Sequence, residues 1–134
     1  MHYMLDTNVC IEVIRKKNQN VLQHITKHAI SDIVVSTITV AELQYGVHKS
    51  AAVQQNQQAL HQFLIPFLFL DFDYAATRTY GSIRTALESQ GTPIGSLDML
   101  IAAQALTHSL ILVTNNTKEF QRVPHLQIED WTKT

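Results

Sequence analysis

Residues 3–17 read YMLDTNVCIEVIRKK. Tyr3-Met4-Leu5 is short and apolar. Asp6, Thr7 and Asn8 follow, and an apolar pattern resumes at Val9, Cys10 or Ile11, Val13 and Ile14. A buried strand that leaves through polar residues into an amphipathic helix over 7–17 accounts for both halves. Arg15, Lys16 and Lys17 close that helix near the negative end of its dipole. The pattern returns in IVVSTITVAEL, residues 33–43. Ile33-Val34-Val35 is β-branched and apolar throughout, as an interior parallel strand should be. A polar exit follows, then a helix from Thr39 to about Lys49.

The remaining segments extend the alternation. Helices are expected over 19–29, 51–64, 74–90 and 96–107, with one helical turn at 117–120. Strands are expected over 67–72, 110–113 and 126–128. Gly91, with Pro93 just beyond, stops the long helix over 74–90. Strands alternating with helices indicate an α/β architecture with a mainly parallel central sheet. No repeat, low-complexity tract or long linker divides the 134 residues, so a single domain over 1–134 is expected.

Composition narrows the classes. With 46% apolar and 16% charged residues the chain is globular rather than disordered. No run of 18 apolar residues spans a membrane, and the start lacks a basic region followed by a long apolar stretch. The lone Cys10 fits a reducing cytoplasm and reads as a small core residue on the first helix. The net charge of −1 argues only weakly against a polyanionic partner. If four of the 11 acids form one metal-neutralised cluster, ten Lys and Arg face the seven acids left over. The remaining surface is then mildly basic, which permits a nucleic-acid partner.

Ligands of an open parallel sheet bind outside the carboxyl ends of its strands. Asp6 follows the first strand. Glu42 lies one turn into the helix after the second. Thr114, Asn115 and Asn116 follow the fourth, with Glu119 close behind. Asp98 opens the helix that returns towards that strand, so all four acids can meet at one edge. Each also has a local explanation. Asp6 is a plausible N-cap, Thr39-x-x-Glu42 a capping box, Asp98 a complement to a helix dipole and Glu119 a solvated turn residue. Asp98 tips the balance. It sits among Leu97, Met99, Leu100, Ile101, Ala102 and Ala103, and no Lys or Arg lies between Arg84 and Lys118. A buried unpaired carboxylate costs several kcal/mol, and a hard cation such as Mg²⁺ or Mn²⁺ would relieve it.

LDTNVCI near the start, ITVAELQYGV in the first third, LDMLIAAQAL, and LVTNNTKEF with RVPHLQIEDW resemble, in order and spacing, the PIN-domain ribonucleases. Among these the chain is similar to the VapC toxins of toxin–antitoxin pairs, over nearly its whole length. The resemblance places the family's acids on Asp6, Glu42 and Asp98, with Glu119 as the fourth. Asn116 stands where many members carry a further acid. Thr7, Asn8 and Thr114 match small polar positions of the acidic pocket, and Asn116 is expected as a polar ligand or substrate contact. Lys118 and Arg122 flank the fourth acid and are the best candidates for contacts to an RNA backbone.

The resemblance implies a cytoplasmic endoribonuclease that uses Mg²⁺, with Mn²⁺ as a substitute, to cut structured RNA such as tRNA. It also implies a VapB-like antitoxin that covers the acidic groove, a toxin homodimer, a higher toxin–antitoxin complex, and contact with operator DNA only through the antitoxin. The antitoxin is expected on apolar surface of the helices at 7–17 and 39–64.

Two other classes compete. LDFDYAAT, residues 70–77, has Asp71 and Asp73 in the D-x-D-x-[TV] spacing of aspartyl-nucleophile phosphatases, but the fifth position is Ala75 and Asp73 reads as an N-cap. A PIN fold with a decayed site could also serve as a binding scaffold, against which the full set of four acids argues. The seven histidines are scattered outside the acidic motifs and read mostly as surface residues. No glycine-rich phosphate loop follows any strand.

Overall fold

The computed structural model describes residues 1–133. Five strands form one sheet: β1 (Tyr3–Leu5), β2 (Ile33–Ser36), β3 (Leu68–Leu70), β4 (Ile111–Val113) and β5 (Ile128–Glu129). Every pairing is parallel, in the order β3-β2-β1-β4-β5. The chain steps outward from β1 to β3, then returns to lay β4 on the other side of β1. The strand order therefore reverses between β1 and β4, where an open α/β sheet has its crevice.

Successive residues of the inner strands point to opposite faces. Met4, Val34 and Leu112 pack with helices α5 (Tyr74–Ser89) and α6 (Ser96–Thr107) and with Phe120 of the short α7 (Thr117–Phe120). Leu5, Ile33, Val35 and Val113 pack with α1 (Thr7–Ile14), α2 (Gln19–Lys27), α3 (Thr37–His48) and α4 (Val53–Leu64). Both faces are covered, which is why these strands are apolar runs rather than alternating ones. Each fully buried Val, Leu or Ile in them contributes roughly 1.5–3 kcal/mol. Helix α6 is the most enclosed, with Met99, Ile101, Ala102, Ala103, Gln104 and Ala105 all buried.

Several boundaries differ from the sequence expectation, each for a local reason. Helix α1 ends at Ile14 rather than Lys17, because Lys16 turns left-handed with φ 55°. Helix α3 begins at Thr37, because Ser36 at the end of β2 accepts a hydrogen bond from the Ile38 amide and caps it. The Thr39–Glu42 capping box is thereby overturned: Thr39 is a buried residue inside the helix, and Glu42 is free of capping. Strand β3 is an edge pairing only with β2 and shrinks to three residues. One turn of 3-10 helix at Ile30–Asp32 precedes β2. Strand β5 falls at Ile128–Glu129 rather than at 126–128.

Beyond β5, Trp131 is buried and stacks with the rings of His24 and His28, each centroid 5.2 Å away. Its Nε1 donates to Glu129, and Asn18 and Asn20 donate to the Thr132 carbonyl. These contacts fasten the end of the chain to α2. Cys10 is fully buried, and burial pushes its thiol up, so it is an inert core group. Among the described residues, no helix is long and apolar enough to cross a membrane.

Candidate metal centre

The edge of the sheet at the β1–β4 reversal collects the four sequence-identified acids. Asp6 leaves β1 in an extended conformation and caps α1. It is only 3% exposed. Its Oδ1 accepts from the Thr7 amide at 2.7 Å, and its Oδ2 accepts from the Thr114 hydroxyl at 2.8 Å. Burial raises its pKa, the bonds from Thr114 and Thr7 oppose that rise, and the Glu42 charge adds to it. Thr114, fully buried at the end of β4, accepts the Asn116 amide on the same oxygen. Its own proton is thereby directed at Asp6.

Thr7 connects the second acid to the first. Its amide serves Asp6, and its hydroxyl donates to Glu42 Oε1 at 2.8 Å. Glu42 reaches this point because α3 starts at the carboxyl end of β2 and brings the residue round after about one and a half turns. Asn116 serves the fourth acid in the same way, donating from Nδ2 to Glu119 Oε2 at 2.8 Å. The short α7 that carries Glu119 is held by buried Phe120.

Asp98 lies in the first turn of α6. Its carboxyl is pushed up to about 7, first by burial, then by the charges of Asp6, Glu119 and Glu42, and by a hydrogen bond with Glu119. The four acids are thus within electrostatic reach of one another. None is among the ion pairs of the described residues. Negative charge is concentrated here without a protein counter-charge.

Among the described residues, no three His, Cys, Asp or Glu side chains close into a ready-made coordination shell. That spread suits some ions better than others. Zinc needs three or four tightly placed protein ligands. Mg²⁺ keeps several waters and is usually held by one or two carboxylates. An all-oxygen donor set with one carboxylate holding back its charge near neutral pH fits a hard, hydrated divalent cation.

The other sequence-identified residues fall around this centre. Asn8 is exposed and lines the adjoining groove beside Thr7. Lys118 is exposed on α7. Arg122 donates to the Pro93 carbonyl at 3.1 Å, which ties the segment before α6 to the end of α7. Asp71 is exposed, while Asp73 caps α5 through the Ala76 amide and lies 3.0 Å from His108 Nε2. The D-x-D pair is therefore partly spent on starting α5. His24, His28 and His108 are half-buried, and His2, His48, His61 and His125 are exposed, so none is the partner of an acid in the centre.

Two residues of this region escaped the sequence reading. Gln104 is completely buried in α6 and bonds to the Ser36 hydroxyl, while its Nε2 donates to the Leu70 carbonyl at 3.1 Å. Ser36 caps the helix of Glu42, and Gln104 lies on the helix of Asp98. The sequence carries a signal for it: between Asp98 and Thr107 of the most apolar helix, Gln104 is the one polar side chain.

A groove of about 750 Å³ opens beside the centre. Its walls come from α1, α3 and α4, including Ile11, Ile14, Leu43, Val47 and Leu60, and Thr7 and Glu42 sit at its acidic end. Ile11 and Ile14 are half-buried along this wall, whereas Leu43, Val47 and Leu60 belong to the core beneath it.

The PIN domain family model matches residues 3–126. Ribonuclease VapC2 of Rickettsia felis is 45% identical, covering 99% of this chain and all of the relative. The tRNA(fMet)-specific endonuclease VapC of Salmonella typhimurium is 39% identical, covering 98% of each chain. The crystal structure of VapBC2 from Rickettsia felis bound to a DNA fragment from their promoter superposes with a TM-score of 0.89 at 44% identity, covering 98% of this chain and 99% of that one.

Proposed function

The chain belongs to the PIN-domain family and, within it, to the VapC ribonucleases, and from that premise we propose that it is the toxin of a toxin–antitoxin pair. Its reaction is hydrolysis of an RNA phosphodiester bond within a structured RNA. PIN-domain nucleases work with divalent metal; here the ion is Mg²⁺, with Mn²⁺ able to replace it. The observation that carries this reading is the convergence of four carboxylates, uncompensated by any Lys or Arg, at the reversal of the strand order.

Asp6, Glu42, Asp98 and Glu119 would hold the ion, in part directly and in part through the waters it keeps. When bound, it supplies Lewis acidity, making water a better nucleophile and offsetting charge that builds on the phosphate oxygens. The chain's own groups fix the geometry. Thr114 and the Thr7 amide hold both oxygens of Asp6, the Thr7 hydroxyl holds Glu42, and Asn116 holds Glu119. Such outer contacts orient carboxylates before an ion arrives, so less order is lost on binding. Lys118, exposed beside Glu119, offers charge to the RNA backbone. In the balanced reaction a water oxygen joins phosphorus, the bond to the 3′-oxygen breaks and that oxygen takes a proton. The ends are 5′-phosphate and 3′-hydroxyl.

A tRNA is the first substrate to test, and the initiator tRNA in particular, because two relatives at 39% identity are named for tRNA(fMet). The partner is a VapB-like antitoxin lying in the apolar groove with a basic side chain among the carboxylates. The solved VapBC complex with promoter DNA supports assembly into a toxin–antitoxin complex that meets operator DNA through the antitoxin. A homodimer of the toxin belongs to the same reading. Incubating the purified protein with total bacterial RNA, with Mg²⁺ or with excess EDTA, and mapping the new ends tests the chemistry. Undiminished cleavage in EDTA would overturn the metal mechanism.

A further inference from the structure

We propose that Tyr45 is a stacking platform for an unpaired nucleotide of the RNA substrate, and that Lys49 receives a phosphate next to it. This rests on the ribonuclease reading above and adds to it two residues that would hold the RNA beside the centre.

Tyr45 is 67% exposed. The ring packs little against the fold, so its face is open to a partner. Tyr45 follows Glu42 by three positions on α3, so the two side chains are neighbours along one helix face. Both line the same groove. The ring is thus about one helical turn from the acidic centre.

Its surroundings are those a nucleotide needs. Lys49 Nζ lies 4.9 Å from the ring centroid. Arg15 of the α1 end and Lys49 both line the groove that Glu42 closes. Leu97, 46% exposed and directly before Asp98, adds an apolar contact to the same groove. An aromatic face with Lys49 over it, Arg15 on the same groove and a carboxylate of the centre in its lining is the pattern of a single-strand channel, where bases stack and phosphates meet Lys or Arg. A phosphate, carrying full charge, is a stronger partner for Lys49 than the tyrosine ring, so the lysine can turn to it while the ring keeps the base. A base inside a duplex has no free face to offer, so the platform selects loops and bulges.

The test uses the full protein with Mg²⁺ and a short RNA stem–loop containing the mapped cleavage position. Two substrate forms are compared, one intact and one with the base beside the scissile phosphate removed. Tyr45→Ala should raise KM on the order of tenfold, and the base-less RNA should show the same weakening with the wild-type protein. Tyr45→Phe, which keeps the ring, should stay within about twofold of wild type. Tyr74→Ala, which removes an exposed tyrosine in the other helical layer, should have no effect. With 2-aminopurine at the stacked position, binding to the inactive Asp98→Asn protein should quench its fluorescence, and adding Tyr45→Ala should abolish the quench. Unchanged KM for Tyr45→Ala, or equal cleavage of the two RNA forms by the wild type, would overturn the platform and leave the ribonuclease reading standing. So would weaker antitoxin binding by Tyr45→Ala with RNA cleavage unaltered, which would assign the ring to the protein partner. A wild-type protein that cuts no RNA with any divalent ion would overturn both.

Discussion

The Thr114 hydroxyl donates to Asp6 Oδ2 at 2.8 Å across the one place where the sheet reverses its strand order. The contact joins residues 108 positions apart. It fixes the carboxylate that leaves β1 to the backbone that leaves β4. Thr114→Val keeps the shape and removes the proton donor. Metal affinity or cleavage rate should fall about 10–100-fold while the fold persists. A magnesium titration of the cleavage rate would read this, and a variant titrating like wild type would remove Thr114 from the centre's support.

Asp98 gives the metal-free protein a definite pH dependence. Its carboxyl is raised from 3.8 to about 7. Across that window the folded protein holds a proton that the unfolded chain has released. The associated stability is complete below the lower value and is lost as pH rises through about 7. In EDTA, Tm should therefore be higher in mildly acidic buffer than in mildly alkaline buffer. Asp98 is partly exposed, so solvent screening keeps the difference to a few degrees. Mg²⁺ should raise Tm more on the alkaline side, where no proton competes for the site.

Asp98→Asn takes one charge from the cluster. The metal-free variant should melt at or above the wild-type temperature, since it no longer adds to repulsion among the carboxylates. Cleavage should drop by at least about 100-fold. Calorimetry in EDTA, paired with an RNA assay at saturating Mg²⁺, separates the two effects. Near-normal cleavage would show that Asp98 is no principal ligand.

Gln104 links the frames of two acids. Gln104→Leu leaves the buried Ser36 hydroxyl proton without its acceptor and takes the side-chain donor from the Leu70 carbonyl. The cost should be about 1–3 kcal/mol. Ser36 caps the helix of Glu42, and α6 carries Asp98, so the variant should also bind Mg²⁺ more weakly at temperatures where it is fully folded. Denaturant unfolding and a metal titration, both run on the same preparation, would measure the pair.

Much of this was legible in the sequence. The inner strands declare themselves because a parallel sheet covered on both faces needs β-branched apolar runs, and Ile33-Val34-Val35 supplies one. Asp98 was legible because a carboxylate conflicts with the apolar helix around it. The edges were less clear. Strand β3 pairs on one side only, with Leu68 and Phe69 exposed, so no burial pattern marks its ends. The start of α3 was misplaced because Ser36 is at once the last residue of β2 and the cap of the helix. The bonds from Thr7 to Glu42 and from Thr114 to Asp6 join residues far apart in the chain, and only the fold brings them together.

The groove beside the centre leads to the last prediction. A groove of about 750 Å³, lined by half-buried Ile11, Ile14 and Ile38 and exposed Leu97, leaves apolar surface open next to uncompensated carboxylates. The segment that fills it must be amphipathic, with an Arg or Lys placed to reach the acids. A guanidinium meets carboxylate oxygens in two parallel bonds and would displace a hydrated cation that shares them. Expression of the wild-type chain alone should therefore halt growth, and co-expression with the proposed VapB-like antitoxin should restore it. Ala41→Arg places a bulky charge on the exposed groove wall, one residue before Glu42. It should weaken the antitoxin complex by at least about 2 kcal/mol, as loss of a buried anchor contact does. The variant would then escape rescue while keeping its Mg²⁺-dependent stabilisation. Normal growth on unaccompanied expression of soluble, RNA-cleaving protein would count against the toxin role and leave the nuclease chemistry in place.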